Sequence, residues 1–285
     1  MKIAFSLPLR KQDGTAHTIE EIMSISRAIE EAGFDGIWIG DAIGRGRIFP
    51  DPLIWLTAAA AATKHVDLGI AVYVVPLRNP VELSQRLLTL HALSGGRFLF
   101  GVGTGSNETD FKAVGGDWSV RFKTLSENLD VIRRICRGER VGEADLTPWP
   151  NSIPGPPIMI GAWTSKLWIR RAAQEFDGWL ASGGGPGGTT FKDMKEGLKR
   201  YRDYGGKRAI VATVAVGLSE ALPLEPLTDD RRFTLRCNPA NALERIQAAE
   251  ELGYHDVLLR KDDLTIADII EISSLLGLAR KKATP

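Results

Sequence analysis

A chain of 285 residues that is 44% hydrophobic can bury a large core, and barrels of this length form one domain, so 1–285 is expected to be a single domain. Lys+Arg 36 against Asp+Glu 35 leaves a formal charge of +1, which excludes the electrostatic excess of a nucleic-acid or anionic-membrane binder and points to a small-molecule partner. No segment approaches the roughly 20 apolar residues that span a bilayer, and Cys136 and Cys237 stand far apart with no metal-ligand spacing; two free thiols, no metal and a cytoplasmic location are the expectations.

Short β-rich apolar runs alternate with amphipathic stretches, the grammar of βα units around a parallel sheet. Residues 3–7 form an apolar strand; Thr18-Ile-Glu-Glu21 is a capping box, followed by Ile22, Ile25, Ile29 and Ala32 at helical spacing and a stop at Gly33. Strand two spans 36–41, and Asp51-Pro52 opens an Ala-rich helix over 53–63. Strand three spans 66–75, Asn79-Pro80 starts the next helix, strand four spans 97–103, and 122–137 carries a helical period. A Pro/Gly-rich joint at 147–157 precedes strand five at 158–162 and a helix at 165–176. Strand six (178–181), a helix (190–204) and strand seven (210–216) follow; 220–237 has no period and is either a lid or a surface loop. Asn238-Pro239 caps a helix to 252, and 256–259 with 266–276 completes about eight βα units. The expected fold is α/β, one (β/α)₈ TIM barrel with insertions at its C-terminal face.

Active sites of such barrels form where the strands end, so the loops after the strands hold the candidates. After strand two, Asp41 closes an apolar strand, and Arg45 and Arg47 stand among three glycines, suited equally to an anion or substrate contact and to a solvated loop. The ridge Ala71-Val-Tyr-Val-Val-Pro-Leu-Arg-Asn-Pro80 is, by itself, ordinary barrel core. After strand four, Gly103 and Thr104 belong to a Gly-rich turn that fits neither a P-loop nor a dinucleotide fingerprint. Strand five ends in Gly161-Ala162-Trp163-Thr164-Ser165 at a helix start, either a phosphate site or simple N-capping, and the glycine loop after strand six contains Gly183 and Gly184, a second backbone-rich cradle or a hinge.

Several segments together resemble the bacterial luciferase-like family of flavin- and deazaflavin-dependent oxidoreductases: Glu31-Ala-Gly-Phe-Asp-Gly-Ile-Trp38, Pro76-Leu-Arg-Asn-Pro80, Leu93-Ser-Gly-Gly-Arg97, Phe100-Gly-Val-Gly-Thr-Gly105, and Arg171-Ala-Ala with Phe176-Asp-Gly-Trp179. The resemblance implies FMN or F420, used for hydride transfer or monooxygenation on a small organic substrate, in a homodimer; Arg45 and Arg47, able to meet the extended anionic tail of F420, lean slightly to F420. It implies a ring backed by a bulge at the end of strand three, with a non-prolyl cis bond between Val74 and Val75. It also places Gly103 and Thr104 beside the cofactor tail and Ala162 to Ser165 on its phosphate. Many members carry a histidine where this chain has Ala42, after Asp41, so that role does not transfer. Of the four histidines only His17, in the loop after strand one, could face the mouth, and a solvated loop histidine is the plainer reading. Asp41, Arg45, Arg47 or Tyr73 stands in for it. The alternatives are a phosphosugar lyase or isomerase using Lys261 as amine nucleophile, and a non-catalytic barrel.

Overall fold

The helices begin where the sequence supplies a side-chain acceptor for their free N–H groups. Asp51, Asn79 and Asn238 each accept backbone N–H bonds ahead of a proline at the first helical position. Thr18, Thr190 and Thr265 close capping boxes with Glu21, Asp193 and Asp268. The structure, a computed structural model, describes residues 1–182 and 189–278. In chain order its elements are β1 (Lys2–Ser6), α1 (Ile19–Glu31), β2 (Gly36–Ile39), α2 (Pro52–Ala62), β3 (Asp67–Ile70), β4 (Tyr73–Val74), α3 (Pro80–Leu93), β5 (Phe98–Gly103), α4 (Glu108–Ala113), α5 (Arg121–Cys136), β6 (Ile158–Gly161), α6 (Lys166–Gln174), β7 (Gly178–Ser182), α7 (Phe191–Asp203), β8 (Ala209–Leu218), β9 (Leu235–Cys237), α8 (Pro239–Leu252), β10 (Asp256–Arg260) and α9 (Ile266–Leu276).

All barrel pairings are parallel and run β1-β2-β3-β5-β6-β7-β8-β10, with β10 returning to β1, so the sheet closes as the expected (β/α)₈ barrel. Alternation along the strands divides the core in two. Ile37, Ile39, Leu68, Ile70, Phe98, Phe100, Ile158 and Ile160 belong to the main cluster that the helices cover. Ala4, Trp38, Leu99, Met159, Leu180, Ile210, Ala212 and Leu258 form a second cluster that fills the lumen. Trp38, 2% exposed, is its largest member, and Gly69 on the next strand makes room for it: a Cβ there would lie 2.3 Å from the indole.

Strand three differs from its sequence reading. It is broken into β3 and β4, and the non-prolyl cis bond joins Ala71 and Val72, not Val74 and Val75. The register explains the shift: Gly69 pairs with Leu99 and Tyr73 with Val102, so three residues (70–72) face two (100–101). The extra residue therefore falls ahead of Tyr73, while Val74 already pairs in register with Gly103. A second bulge lies between β8 and β10, where Ala212 and Thr213 face Leu258 alone.

The unpatterned 220–237 segment ends in β9, which extends the C-terminal half of β8. It is stitched to α8: Asn241 accepts from the Glu225 N–H (2.7 Å), and the buried Arg245 donates to the carbonyls of Thr234 (2.6 Å) and Glu225 (3.3 Å). None of these three bonds has a periodic signature, so the sequence shows none of them.

Two outcomes follow. Gly69→Ala should cost about 1–3 kcal/mol in urea unfolding, because the added methyl meets a packed ring. Burial pushes the Cys136 thiol from 9.0 up to about 11 and raises Cys237 as well. The folded protein should therefore leave Ellman's reagent unreacted at about pH 8, and denaturant should release two thiols. The Cys136 pKa is higher folded than unfolded, so its support for folding is complete below pH 9 and is lost as pH rises to about 11.

Candidate active site

At the C-terminal ends of the strands lies a cavity of about 440 Å³, within the roughly 300–1,000 Å³ common for ligand pockets. Its walls come from the loop after β1 (Ser6 to Arg10), from Gly40 and 47–49 after β2, from Ala71, from Thr213, and from Leu258 and 260–263 at the end of β10. Both bulges thus border it, Ala71 on one side and Thr213 on the other. Thr213 holds a φ of 63°, a conformation a β-branched residue rarely adopts.

Beside the cavity the chain turns at Val72. Its side chain occupies the space over β5 and β6: a Cβ at Gly103 would lie 2.7 Å from its Cγ2, and one at Gly161 would lie 2.5 Å from its Cγ1. These two glycines make room for an apolar shelf formed by this protein's own valine. Val74 and Val75 are both buried; Val74 packs with Leu77 and Phe111, and Val75 joins the main core.

Asp41 holds this shelf from below. Its carboxylate, 2% exposed, accepts from the Val74 N–H (3.0 Å) and from Arg78 Nη2 (3.0 and 3.2 Å). Burial pushes its carboxyl above the usual carboxylate range, against the opposing pull of Arg78 and the Val74 N–H. Arg78 also lies over the Tyr73 ring at 4.9 Å, and burial pushes that phenol up to about 12. Asp41 and Arg78 form one buried ion-paired unit at this strand end. The sequence offers Arg78 only as part of a motif, with nothing to say which carboxylate it meets.

Arg45 and Arg47 separate. Arg45 forms a bidentate bond to Asp110, at 2.7 to 3.2 Å, and Asp110 is fully buried. It thereby ties the loop after β2 to α4 in the loop after β5. Arg47 lines the cavity and stacks over Phe49 at 4.8 Å. His17 does not line the cavity and is not solvated: its side chain is 10% exposed, set edge-on to Trp55. Lys261 does line it, with Nζ 3.1 Å from Asp268, where it serves as an ion-pair donor.

On the far side of Val72, Ser165 caps α6 by accepting from the Trp168 N–H (3.3 Å), and Thr164 is exposed. Trp163 stacks on Trp179 (5.8 Å, 13°), and Trp179 Nε1 donates to the Ala162 carbonyl (2.5 Å). The turn is thus braced with its first free N–H groups directed outward from the helix start. Thr104 is half-buried next to the shelf. Gly183 and Gly184 lie outside the described residues. Arg10, Thr213 and Arg260 also border the cavity; sequence reasoning missed them because the loop after β1 carries no motif and a bulge leaves no compositional trace.

A family model for luciferase-like monooxygenases matches residues 1–222. The chain belongs to that family. An F420-dependent glucose-6-phosphate dehydrogenase of Intrasporangium calvum is 26% identical over 295 residues, covering 84% of this chain and 88% of that protein. Limonene 1,2-monooxygenase of Rhodococcus erythropolis is 32% identical over 148 residues, and 4-hydroxyprotoasukamycin monooxygenase of Streptomyces nodosus is 28% identical over 164. The match spans under half of these two proteins, 38% and 44% of their length. Among solved structures, monooxygenase RslO1 of Streptomyces bottropensis superposes with a TM-score of 0.83 at 17% identity, covering 100% of both chains. An F420-dependent secondary alcohol dehydrogenase superposes at 0.73 and 14% identity, over 98% of this chain and 99% of that one. These structures share the luciferase-like barrel.

Arg45→Gln leaves Asp110 buried without its counter-charge, and it should destabilise the protein by about 1–3 kcal/mol. Trypsin should then cut faster after Arg47. In a double-mutant cycle with Asp110→Asn the coupling should reach about 1 kcal/mol or more; a coupling near zero would remove the latch.

Proposed function

We propose that this chain is an oxidoreductase dependent on F420 or FMN, acting on a small organic substrate at the C-terminal mouth of the barrel, with residues 1–285 working as one unit. The observation that carries this reading is the Val72 shelf, set between a ligand-sized cavity and the open start of α6. A flat apolar ring needs a dry surface to lie on, and a phosphate needs free backbone donors a few residues away; the two stand on either side of one strand break.

The chain's own residues fit such a group. Ala71 and Val72 would back the ring. Gly103 and Thr104 would flank it, with Val74 and Val75 supporting the shelf from beneath. Gly161, Ala162, Trp163, Thr164 and Ser165 would take the phosphate, and Gly183 and Gly184 would adjoin it. When bound, the cofactor would supply hydride transfer or, for FMN, chemistry with oxygen. The protein would position the substrate over the shelf, exclude water with the latched loops after β2 and β5, and keep Asp41 engaged with Arg78 rather than with the substrate. F420 is favoured over FMN because the F420-dependent relative matches along most of both chains.

Two further features complete the reading. The buried free thiols suit a reducing compartment, the cytoplasm, and no described helix is long and apolar enough to cross a membrane. The exposed Ile54 (65%) on α2 and Leu93 (64%) on α3 fit a homodimer face.

Purified protein should bind F420 or FMN at micromolar concentration, followed by the cofactor's fluorescence, and failure to take up either would overturn the reading. Thr164→Glu places a carboxylate at the start of α6. It should leave the melting temperature unchanged or higher, because a negative charge suits a helix N-terminus. It should also weaken cofactor binding at least about tenfold by repelling the phosphate.

A further inference from the structure

Most cations at the barrel mouth are already paired. Arg45 meets Asp110, Arg78 meets Asp41, Arg260 meets Asp262 and Lys261 meets Asp268. Two are not: among the described residues, Arg10 and Arg47 have no carboxylate within ion-pair reach, and both line the 440 Å³ cavity from different loops. Arg10 follows β1, Arg47 follows β2, and both are exposed. The cavity wall holds four cations, Arg10, Arg47, Arg260 and Lys261, against two carboxylates, Asp262 and Asp263, in a chain whose net charge is only +1. Thr213 adds a hydroxyl-bearing side chain to the same wall, exposed at the β8 bulge with its φ of 63°. Such strain concentrates where a side chain must be aimed at a ligand.

We propose that the substrate carries an anionic group, a carboxylate or a phosphate, gripped between Arg10 and Arg47 and steadied by the Thr213 hydroxyl, with the rest of the molecule reaching toward Ala71. The guanidinium fork suits this task because it donates two parallel bonds to a carboxylate or phosphate, and an arginine with no carboxylate partner keeps that fork available. The paired Arg260 and Lys261 contribute to the local potential but have their donors engaged. This assignment rests on reading the mouth as the substrate side of an oxidoreductase, and it fixes the class of substrate that side takes.

The test uses the full-length protein and three probes: inorganic phosphate, butyrate, and butyramide as the neutral counterpart of butyrate. Calorimetry should show phosphate or butyrate binding and butyramide at least about tenfold weaker; whichever anion is preferred identifies the group. Arg10→Gln and Arg47→Gln should each weaken that anion roughly tenfold or more with unchanged melting temperature, since both side chains are exposed. Phenylglyoxal should label Arg10 and Arg47, and the bound anion should protect both. Thr213→Gly relaxes the backbone, so it should raise the melting temperature while weakening the anion; a purely structural role would not move the affinity. Anion binding unchanged in both arginine variants would overturn the proposal. So would a parallel loss of F420 or FMN affinity, which would assign the two arginines to the cofactor instead. Failure of the cofactor reading is separate: neither F420 nor FMN binds to wild type, whatever the anions do.

Discussion

The mouth of this barrel depends on one buried carboxylate. Asp41 stands at the end of β2, and its two oxygens hold both the Val74 N–H and the Arg78 guanidinium, so the strand break at 71–72 is fixed from the neighbouring strand. Removing a partner from a pair this deeply buried is expected to cost about 3–5 kcal/mol, because the charge left behind has no solvent. Asn128 on α5 adds a second tie, donating to the carbonyls of Val75 (3.4 Å) and Arg78 (3.3 Å). With the chain after the break held from β2 and from α5, the Val72 side chain fills the space that Gly103 and Gly161 leave open.

The same constraint separates a rigid floor from adaptable walls. Beneath the shelf, Trp38 fills the lumen and the strands interlock through their inward side chains. Above it, the cavity is built largely from loops, and its charged side chains Arg10, Arg47, Arg260, Asp262 and Asp263 are exposed. A floor that does not change suits a cofactor common to many relatives, and walls made of loops suit substrates that differ between them. Asp41, which looks from the sequence like a group free to meet substrate, belongs to the floor.

What was legible in the sequence was what local chemistry decides. Asp51-Pro52, Asn79-Pro80 and Asn238-Pro239 mark helix starts because cap and proline act within three residues, and the α9 range is read without error. The closing of the barrel follows from the count of βα units. What was not legible depends on residues brought together from afar. The break in strand three is set by its register with β5 and β2, so counting back from Asn79-Pro80 misplaces the cis bond by three residues. Arg45 and Arg47 look alike in one glycine-rich loop, yet only Arg45 finds Asp110, which is 65 residues away. Arg10 follows a strand end without a motif, and its place on the cavity wall beside Arg47 emerges only in the folded chain.

The Arg45–Asp110 latch has a consequence for motion. Arg45 hangs from the loop after β2 and Asp110 from the short helix α4, and no barrel hydrogen bond passes through either side chain. Parting them exposes a single buried carboxylate and removes one tie on the loop after β2 while leaving the closed sheet untouched. Losing that one tie costs less than opening the sheet, so the stretch that puts Arg47 to Phe49 on the cavity wall can move separately from the barrel.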